Sequence, residues 1–372
     1  MIIGVPKEIK LQEHRIGLTP DSVKMLTSKG HEVLVQENGG YEAGFSNEDY
    51  KNSGAKIIEK AEEIYKNAET IVKVKEPQMN EVKMIRENQI IYTYLHLAAA
   101  KELTEGLIKS KSICIAYETV TDDSGKLPLL APMSAVAGRM SIQAGAHSLE
   151  KNQKGRGLLL GGAPGVEPAN VVILGGGVVG ENAAIIATGM RGKVYIVDKS
   201  KERLKQLHEK FGDKIIPTES DKVDLKKLVS ECDLLVGGVL IPGAEAPKLI
   251  TKEMIKSMKR GSVVVDVAID QGGCVETSKP TTHANPTYLV DDVVHYCVAN
   301  MPGGVPRTST MALNKATLPL LIKLADQGYK KTLSENKNYL AGLNVHKGKV
   351  TFKGVAEAFN FDYMPPEKAI LE

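Results

Sequence analysis

The sequence lacks tryptophan, has few aromatic residues and contains only four cysteines in 372 residues. The cysteines stand alone, without a CxxC pair or a cysteine–histidine spacing typical of metal ligands, so neither a disulfide framework nor a structural zinc site is expected. No apolar run approaches the roughly 18 residues of a membrane span, and the N-terminus lacks the apolar core of a signal peptide. We therefore expect a reduced, soluble, cytoplasmic protein with no membrane partner.

Charge of one sign is also scarce, because 48 basic residues are set against 45 acidic ones and the formal net charge is +3. No basic run stands out, so nucleic acid is not an expected partner. Hydrophobic residues make up 42% of the chain, which is ordinary for a globular protein. A chain of this length exceeds what one hydrophobic core usually supports, and two domains are expected.

Short apolar runs alternate with helical patterns along most of the chain, which predicts an α/β fold with mostly parallel sheets covered on both faces. Thr19 and Pro20 together predict the start of a helix. Further helices are predicted at 49–67, 101–110, 134–150 and 309–326. The predicted strands are 2–5, 33–36, 71–74, 90–95, 113–117, 171–174, 194–197, 214–216, 234–240, 263–267 and 293–298.

The order of these elements predicts two doubly wound, Rossmann-like domains with a cleft between them. We assign residues 1–128 to a substrate-binding catalytic domain and 129–306 to an NAD-binding domain with six strands. Residues 307–372 are predicted to return to the first domain, so that the chain crosses twice.

The strongest local motif is residues 171–180, VVILGGGVVG, in which an apolar strand runs into a G-x-G-x-x-G turn and then a helix. Gly175 permits the tight turn, Gly177 lets a pyrophosphate approach the backbone, and Gly180 lets the helix pack on the strand. Val178 and Val179 occupy the two variable positions, where the helix N-terminus offers N–H groups to phosphate. The motif predicts a bound dinucleotide; a glycine-rich turn without a ligand is the alternative.

Asp198 ends the next predicted strand, 18 residues after Gly180. A carboxylate there accepts hydrogen bonds from the adenosine ribose and repels a 2′-phosphate, which predicts NAD rather than NADP. Arg203, five residues further on, would soften that preference.

Three charged or titratable residues follow predicted strands, at the carboxyl ends where α/β sites gather. Lys75 is either a site residue or a solvated strand end. His96 is either a catalytic acid/base or a satisfied core histidine. Asp270 is either a residue facing the nicotinamide or an ordinary turn residue, and Arg15 on its own pattern would be a surface residue before a helix.

Taken together, these segments resemble alanine dehydrogenases over essentially the whole chain. The most specific stretches are PKE at 6–8, EHRIGLTP at 13–20, SVVVDVAIDQGGC at 262–274 and VHYCVANMPGGVPR at 294–307. None of them is a general nucleotide-binding pattern, and their order and spacing agree with that family.

The resemblance implies NAD-dependent oxidative deamination of L-alanine to pyruvate and ammonia, and the reverse reaction. It implies that Arg15 and Lys75 hold the substrate and that His96 and Asp270 act in proton transfer. The implied cofactor contacts, beyond the glycine turn, are Ser134, Asp198, Arg203, Ser220, Val239, Leu240, Val267, Ala268, Ile269, Asp270, Val298, Ala299, Asn300 and Met301.

The family also implies a homo-hexamer, whereas the metal-site pattern of some members is incomplete here and no metal is predicted. Two other functions stay open. One is the NAD(H)-binding module of a proton-translocating transhydrogenase; the absence of a membrane segment and the set Arg15, Lys75, His96 and Asp270 argue against it. The other is a dehydrogenase of a larger amino acid, such as a saccharopine enzyme. Besides these two, an NAD-binding regulatory protein is a more distant alternative.

Overall fold

A computed structural model describes residues 1–239 and 246–372. The chain divides into two units, which consist of 1–132 with 305–372 and of 133–304. Each unit has its own sheet, and the two sheets are described separately below.

The strands of the described residues are β1 (Ile2–Val5), β2 (Glu32–Gln36), β3 (Lys56–Ile58), β4 (Thr70–Val72), β5 (Ile90–Thr93), β6 (Ile113–Ala116), β7 (Asn170–Leu174), β8 (Lys193–Asp198), β9 (Ile215–Glu219), β10 (Leu234–Gly237), β11 (Val263–Asp266), β12 (Thr287–Val290), β13 (Val293–Tyr296), β14 (Leu343–His346) and β15 (Lys349–Val350).

The α-helices are α1 (Pro20–Thr27), α2 (Asn47–Asn52), α3 (Ala61–Asn67), α4 (Met79–Val82), α5 (Lys101–Ser110), α6 (Ala131–Ser148), α7 (Val178–Gly189), α8 (Lys201–Phe211), α9 (Leu225–Glu231), α10 (Lys252–Ser257), α11 (Pro306–Gln327), α12 (Tyr329–Ser334), α13 (Lys337–Leu340), α14 (Lys353–Phe359) and α15 (Pro366–Ala369). Across 1–239 and 246–372, none of these helices combines the length and apolarity needed to span a membrane.

The first unit contains an eight-stranded sheet in the order β15-β14-β6-β5-β4-β1-β2-β3 among the described residues. Strands β1 to β6 pair in parallel, and β14 is antiparallel to both β6 and β15. Every residue of β4, β5 and β6 is buried, as expected for parallel strands covered on both faces. The segment after 307 thus adds two strands, β14 and β15, at one side of the first sheet.

The second unit contains a seven-stranded sheet in the order β12-β13-β11-β10-β7-β8-β9 among the described residues. All of its pairings are parallel except that of β12 with β13. Alternate residues of β7 enter opposite cores: Val171 and Ile173 pack in one cluster, and Val172 and Leu174 pack in the other. This alternation places an apolar core on each face of the sheet.

The predicted α/β class is confirmed, but one predicted helix is wrong. Residues 49–67 form α2, then β3, then α3, because the chain turns at Gly54 with a φ of +89° and pairs Lys56–Ile58 with β2. The sequence analysis also missed β12, β14 and β15. These strands lie at sheet edges or pair antiparallel, where the long apolar runs of central strands are absent.

The turn between β7 and α7 depends on two glycines. Gly175 has a φ of +90°, a conformation that favours glycine. Gly180 is packed so closely that a Cβ on it would lie 1.8 Å from the carbonyl oxygen of Gly175. Helix α7 therefore approaches the end of β7 as the third glycine of the motif predicts.

We predict that Gly180→Ala lowers the free energy of unfolding by about 1–3 kcal/mol, because the added methyl group meets backbone that cannot rotate away. Urea unfolding of the purified variant measures the loss. Gly189→Ala, at the other end of the same helix, is the matched control, since a Cβ there has no atom within 4 Å. It should be neutral or stabilising by up to about 1 kcal/mol. Equal behaviour of the two variants would contradict the close approach at Gly180.

Candidate functional site

In the first unit, three predicted site residues follow neighbouring strands of the sheet. Arg15, Lys75 and His96 come after β1, β4 and β5, which pair in parallel in the order β5-β4-β1. Their strands end at the same edge of the sheet. Carboxylates of Glu8 and Glu118 accept hydrogen bonds from the loops that follow β4 and β5.

Arg15 is buried, so the interpretation as a surface residue before a helix is wrong. Its Nε donates to Glu13 Oε1 at 2.6 Å and one terminal nitrogen donates to Glu13 Oε2 at 2.5 Å, which makes a bidentate ion pair. Burial lowers the pKa of Arg15, but the hydrogen bonds and charge of Glu13 outweigh burial and raise it. The charge of Glu8 acts in the same direction. The guanidinium is thus a fixed positive group within this unit.

Lys75 is half-buried and lies beside a buried ion cluster of Glu8, Lys73 and Glu81. Lys73 Nζ lies 2.9 Å from both Glu8 Oε2 and Glu81 Oε1. The other oxygen of Glu8 accepts from the backbone N–H of Val74 at 2.6 Å and, more weakly, from that of Lys75 at 3.4 Å. Glu8 therefore fixes the backbone from which the Lys75 side chain starts.

The cluster keeps Lys73 charged although its ammonium is fully buried. Burial lowers the pKa of Lys73, but the charges of Glu8 and Glu81 outweigh burial and raise it. Tyr65 donates to Glu81 at 3.2 Å and helps to satisfy that carboxylate. A buried charge requires such partners, because leaving it unpaired costs several kcal/mol.

The His96 imidazole is 49% exposed, so His96 is not a core histidine. Its backbone is left-handed, with a φ of 49°, which is unusual for a residue other than glycine. Glu118 holds this conformation, because its carboxylate accepts from the N–H of His96 at 2.6 Å and of Leu95 at 3.1 Å. The same carboxylate lies 3.9 Å from His96 Nδ1, and the Tyr94 ring stacks on the imidazole.

Four residues of this edge received no role from the sequence: Glu8, Glu13, Tyr94 and Glu118. Glu8 and Glu118 each follow a strand, β1 and β6, in the same manner as the residues that were singled out. That position was the available signal. Both carboxylates accept from backbone N–H groups of a loop distant in sequence, so this role could not be predicted from the sequence.

In the second unit, the predicted cofactor contacts gather at the carboxyl edge of the parallel strands. The glycine turn follows β7, Asp198 ends β8, and Ser220, Val239 and the segments 267–270 and 298–301 follow β9, β10, β11 and β13. Ser220 donates its N–H to the Asp198 carbonyl at 3.1 Å, and a Cβ on Gly175 would touch Val239. Ser134 lies in α6, and Leu240 lies outside the described residues.

The glycine turn has the features of a pyrophosphate site. Gly177 is the N-cap of the twelve-residue helix α7, and no atom lies within 4 Å of a Cβ placed on it. The helix therefore begins with N–H groups that lack a side-chain cap, next to a residue that no side chain crowds, which suits a phosphate. Asp198 Oδ2 accepts from Gly176 N–H at 2.6 Å, and Oδ1 accepts from Ser200 N–H at 2.8 Å. A carboxylate has further lone pairs for ribose hydroxyls.

Asp270 is exposed in the short 3-10 helix Val267–Gln271, which follows β11. The buried carboxylate of Asp266 anchors this helix by accepting from the N–H groups of Ala268 at 3.1 Å and Val275 at 3.2 Å. Asp266 thus ties both ends of the loop that presents Asp270. In the parts of the chain that the structure describes, no group of three or more histidine, cysteine and carboxylate side chains is placed to hold a metal.

Two models of protein families match this chain, and together they cover most of it. Residues 4–137 match the model "Alanine dehydrogenase/PNT, N-terminal domain", and residues 141–353 match "Alanine dehydrogenase/PNT, C-terminal domain".

Three relatives illustrate how far this similarity extends. An alanine dehydrogenase of Halomonas elongata is 56% identical over 98% of each chain. One from Methanococcus maripaludis is 52% identical over the whole of both chains, and alanine dehydrogenase 2 of Staphylococcus aureus is 50% identical, again over both whole chains.

Solved structures agree with these relatives. An L-alanine dehydrogenase superposes with a TM-score of 0.94 at 49% identity, covering 97% of this chain and 99% of the other. A transhydrogenase from Sinorhizobium meliloti superposes with a TM-score of 0.82 at 22% identity, covering 94% of this chain and 100% of the other, which shows a shared fold alone.

We predict that Lys73→Met lowers the free energy of unfolding by about 3–5 kcal/mol, because it leaves two buried carboxylates without their cation. The loss should be smaller in mildly acidic than in mildly alkaline buffer, since protonating either carboxylate relieves the repulsion. Denaturant unfolding at two pH values measures both effects. The control is Lys56→Met, which removes an exposed ion pair with Glu32 and should cost less than about 1 kcal/mol. Similar losses in the free energy of unfolding of both variants would show that the buried cluster contributes no more to stability than an exposed ion pair.

Proposed function

The chain belongs to the alanine dehydrogenase/PNT family, and on this premise we propose that it interconverts L-alanine with pyruvate and ammonia, using NAD. The observation that carries the proposal is identity of 50–56% to alanine dehydrogenases over essentially the full length of both chains. It is an oxidoreductase that acts on the CH–NH2 group of alanine. In favour of the transhydrogenase-type alternative stands the fold shared with a transhydrogenase at 22% identity.

A nicotinamide cofactor follows from the family, and NAD rather than NADP is our proposal. Asp198 places a negative charge at the end of β8, where the adenosine ribose lies in this motif. Ribose hydroxyls can donate to that carboxylate, whereas a 2′-phosphate is repelled by it. A nicotinamide bound at the glycine turn would supply the hydride acceptor for the α-carbon of the amino acid.

Arg15 and Lys75 are proposed to bind the substrate. Arg15 has a buried guanidinium fixed by Glu13, and such a group binds a carboxylate without first paying the entropy of ordering its own side chain. Lys75 offers an ammonium from backbone held by Glu8. Orientation of the α-carbon is the contribution expected of this pair.

His96 and Asp270 are proposed to act in proton transfer and charge stabilisation. Oxidation of an amine gives an iminium, which water attacks before ammonia leaves, so that a base must take protons and later return one. An exposed imidazole suits that task, and Glu118 fixes its orientation through the backbone. An exposed carboxylate at Asp270 suits stabilisation of the cationic intermediates. We also propose that the protein forms a homo-hexamer, as the family resemblance implies.

The proposal is tested by NAD reduction in the presence of single amino acids. We expect turnover with L-alanine and none with D-alanine or L-lysine, recorded as the absorbance of NADH. Pyruvate with ammonia and NADH should give the reverse reaction. Turnover of a larger amino acid in place of alanine would favour the alternative dehydrogenase. Binding of NADH without turnover of any amino acid would favour the transhydrogenase-type module.

We predict that His96→Ala and Asp270→Ala each lower kcat by about 100- to 10,000-fold, the usual range for a positioned acid/base group. Neither side chain is buried, so the melting temperature should stay near that of the parent protein. His147→Ala is the control, because His147 is an exposed histidine in the last turn of α6 that lies 3.2 Å from Glu150. A rate for His96→Ala close to that of His147→Ala would remove His96 from the mechanism.

A further inference from the structure

Arg203 is engaged by groups next to the glycine turn. Its Nε donates to the carbonyl oxygen of Gly176 at 2.6 Å, and a terminal nitrogen forms a short ion pair with Glu181. The second terminal nitrogen donates to Gln206 at 3.3 Å. Each nitrogen of the guanidinium therefore has an acceptor within the protein.

Glu181 is the charged partner in this arrangement. It lies in the first turn of α7, and its other carboxylate oxygen forms an ion pair with Lys210 of α8. Burial raises the pKa of Glu181, but hydrogen bonds and charge from Lys210 and Arg203 outweigh burial and lower it. The carboxylate is therefore negative at neutral pH, and it keeps the Arg203 side chain directed towards α7.

The position of Arg203 matters because it lies in the first turn of α8, five residues after Asp198, the proposed ribose contact. In dinucleotide-binding sheets, an arginine near this position accommodates the 2′-phosphate that distinguishes NADP from NAD. Arg203 has the right chemistry for that phosphate, but three of its five N–H groups already bond a carbonyl, an amide and a carboxylate, and the charge of Glu181 offsets its own.

We propose that Glu181 is a specificity-determining residue, which acts through Arg203 by withholding the guanidinium from a 2′-phosphate. This inference deepens the proposed function, because it rests on the cofactor of that reaction being bound at the glycine turn. Discrimination against NADP then has two sources: Asp198 repels the phosphate, and Glu181 occupies the cation that would attract it. A purely structural link between α7 and α8 would leave cofactor preference unchanged.

The test is the ratio of the dissociation constants of NADPH and NADH, each measured by fluorescence titration of the whole protein without amino acid. Glu181→Gln keeps the shape of the side chain and removes its charge. We expect this variant to lower the NADPH/NADH ratio by about ten- to a hundredfold, the size of one charge-assisted hydrogen bond gained by the phosphate. Glu181→Ala should lower it at least as much, and serves if the first variant folds poorly.

Two controls separate this mechanism from a general change of charge. Glu202→Gln removes an exposed carboxylate from the first turn of α8 and should leave the ratio unchanged. In an Arg203→Ala background, Glu181→Gln should have no further effect on the ratio. An unchanged ratio in both Glu181 variants, or a shift that persists without Arg203, would overturn the proposal.

The outcome is separable from that of the proposed function. A protein that binds both cofactors but does not oxidise alanine contradicts the proposed reaction, while the ratio still decides the role of Glu181. A protein that binds neither cofactor contradicts both.

Discussion

Parallel strands end in loops whose backbone N–H groups have no neighbouring strand to bond to, and carboxylates satisfy them in both units. Glu8 accepts from the loop after β4, and Glu118 from the loop after β5. Asp198 accepts from the glycine turn, and Asp266 from the loop that carries Asp270. An unsatisfied buried N–H costs about 1–3 kcal/mol, so these carboxylates decide the shape of each loop.

This constraint explains why acidic residues that perform no chemistry lie so close to those proposed to do so. Removing the carboxylate of Glu118 would release the left-handed backbone at His96, and removing that of Glu8 would release the backbone of Lys75. Side chains directed by such loops are pre-oriented before a ligand arrives, which reduces the entropic cost of binding. The scaffold of the site is thus a set of backbone anchors.

The same anchoring brings charged groups into regions where water is scarce. Lys73 and Arg15 are buried cations, and each has carboxylate partners that raise its pKa despite burial. In the second unit, the partner of Arg203 is Glu181, and that pairing restricts which ligand charges the arginine can meet. Pairing within the protein therefore serves stability at Lys73 and, by our proposal, selectivity at Arg203.

The sequence by itself determined the α/β class, the central strands and the glycine turn, because long apolar runs and a G-x-G-x-x-G motif are local patterns. It also placed Lys75, His96 and Asp270 after strands, since a strand end is visible in the linear order. Strands β3, β12 and β15 at sheet edges, and β14 next to β15, depended on tertiary pairing, which a short or polar segment does not reveal in the sequence. Only the tertiary structure decided that Arg15 is buried, because its partner Glu13 and the surrounding core come together on folding. The roles of Glu8, Glu118 and Glu181 were likewise decided by folding, since each binds a group at least 22 positions away in sequence.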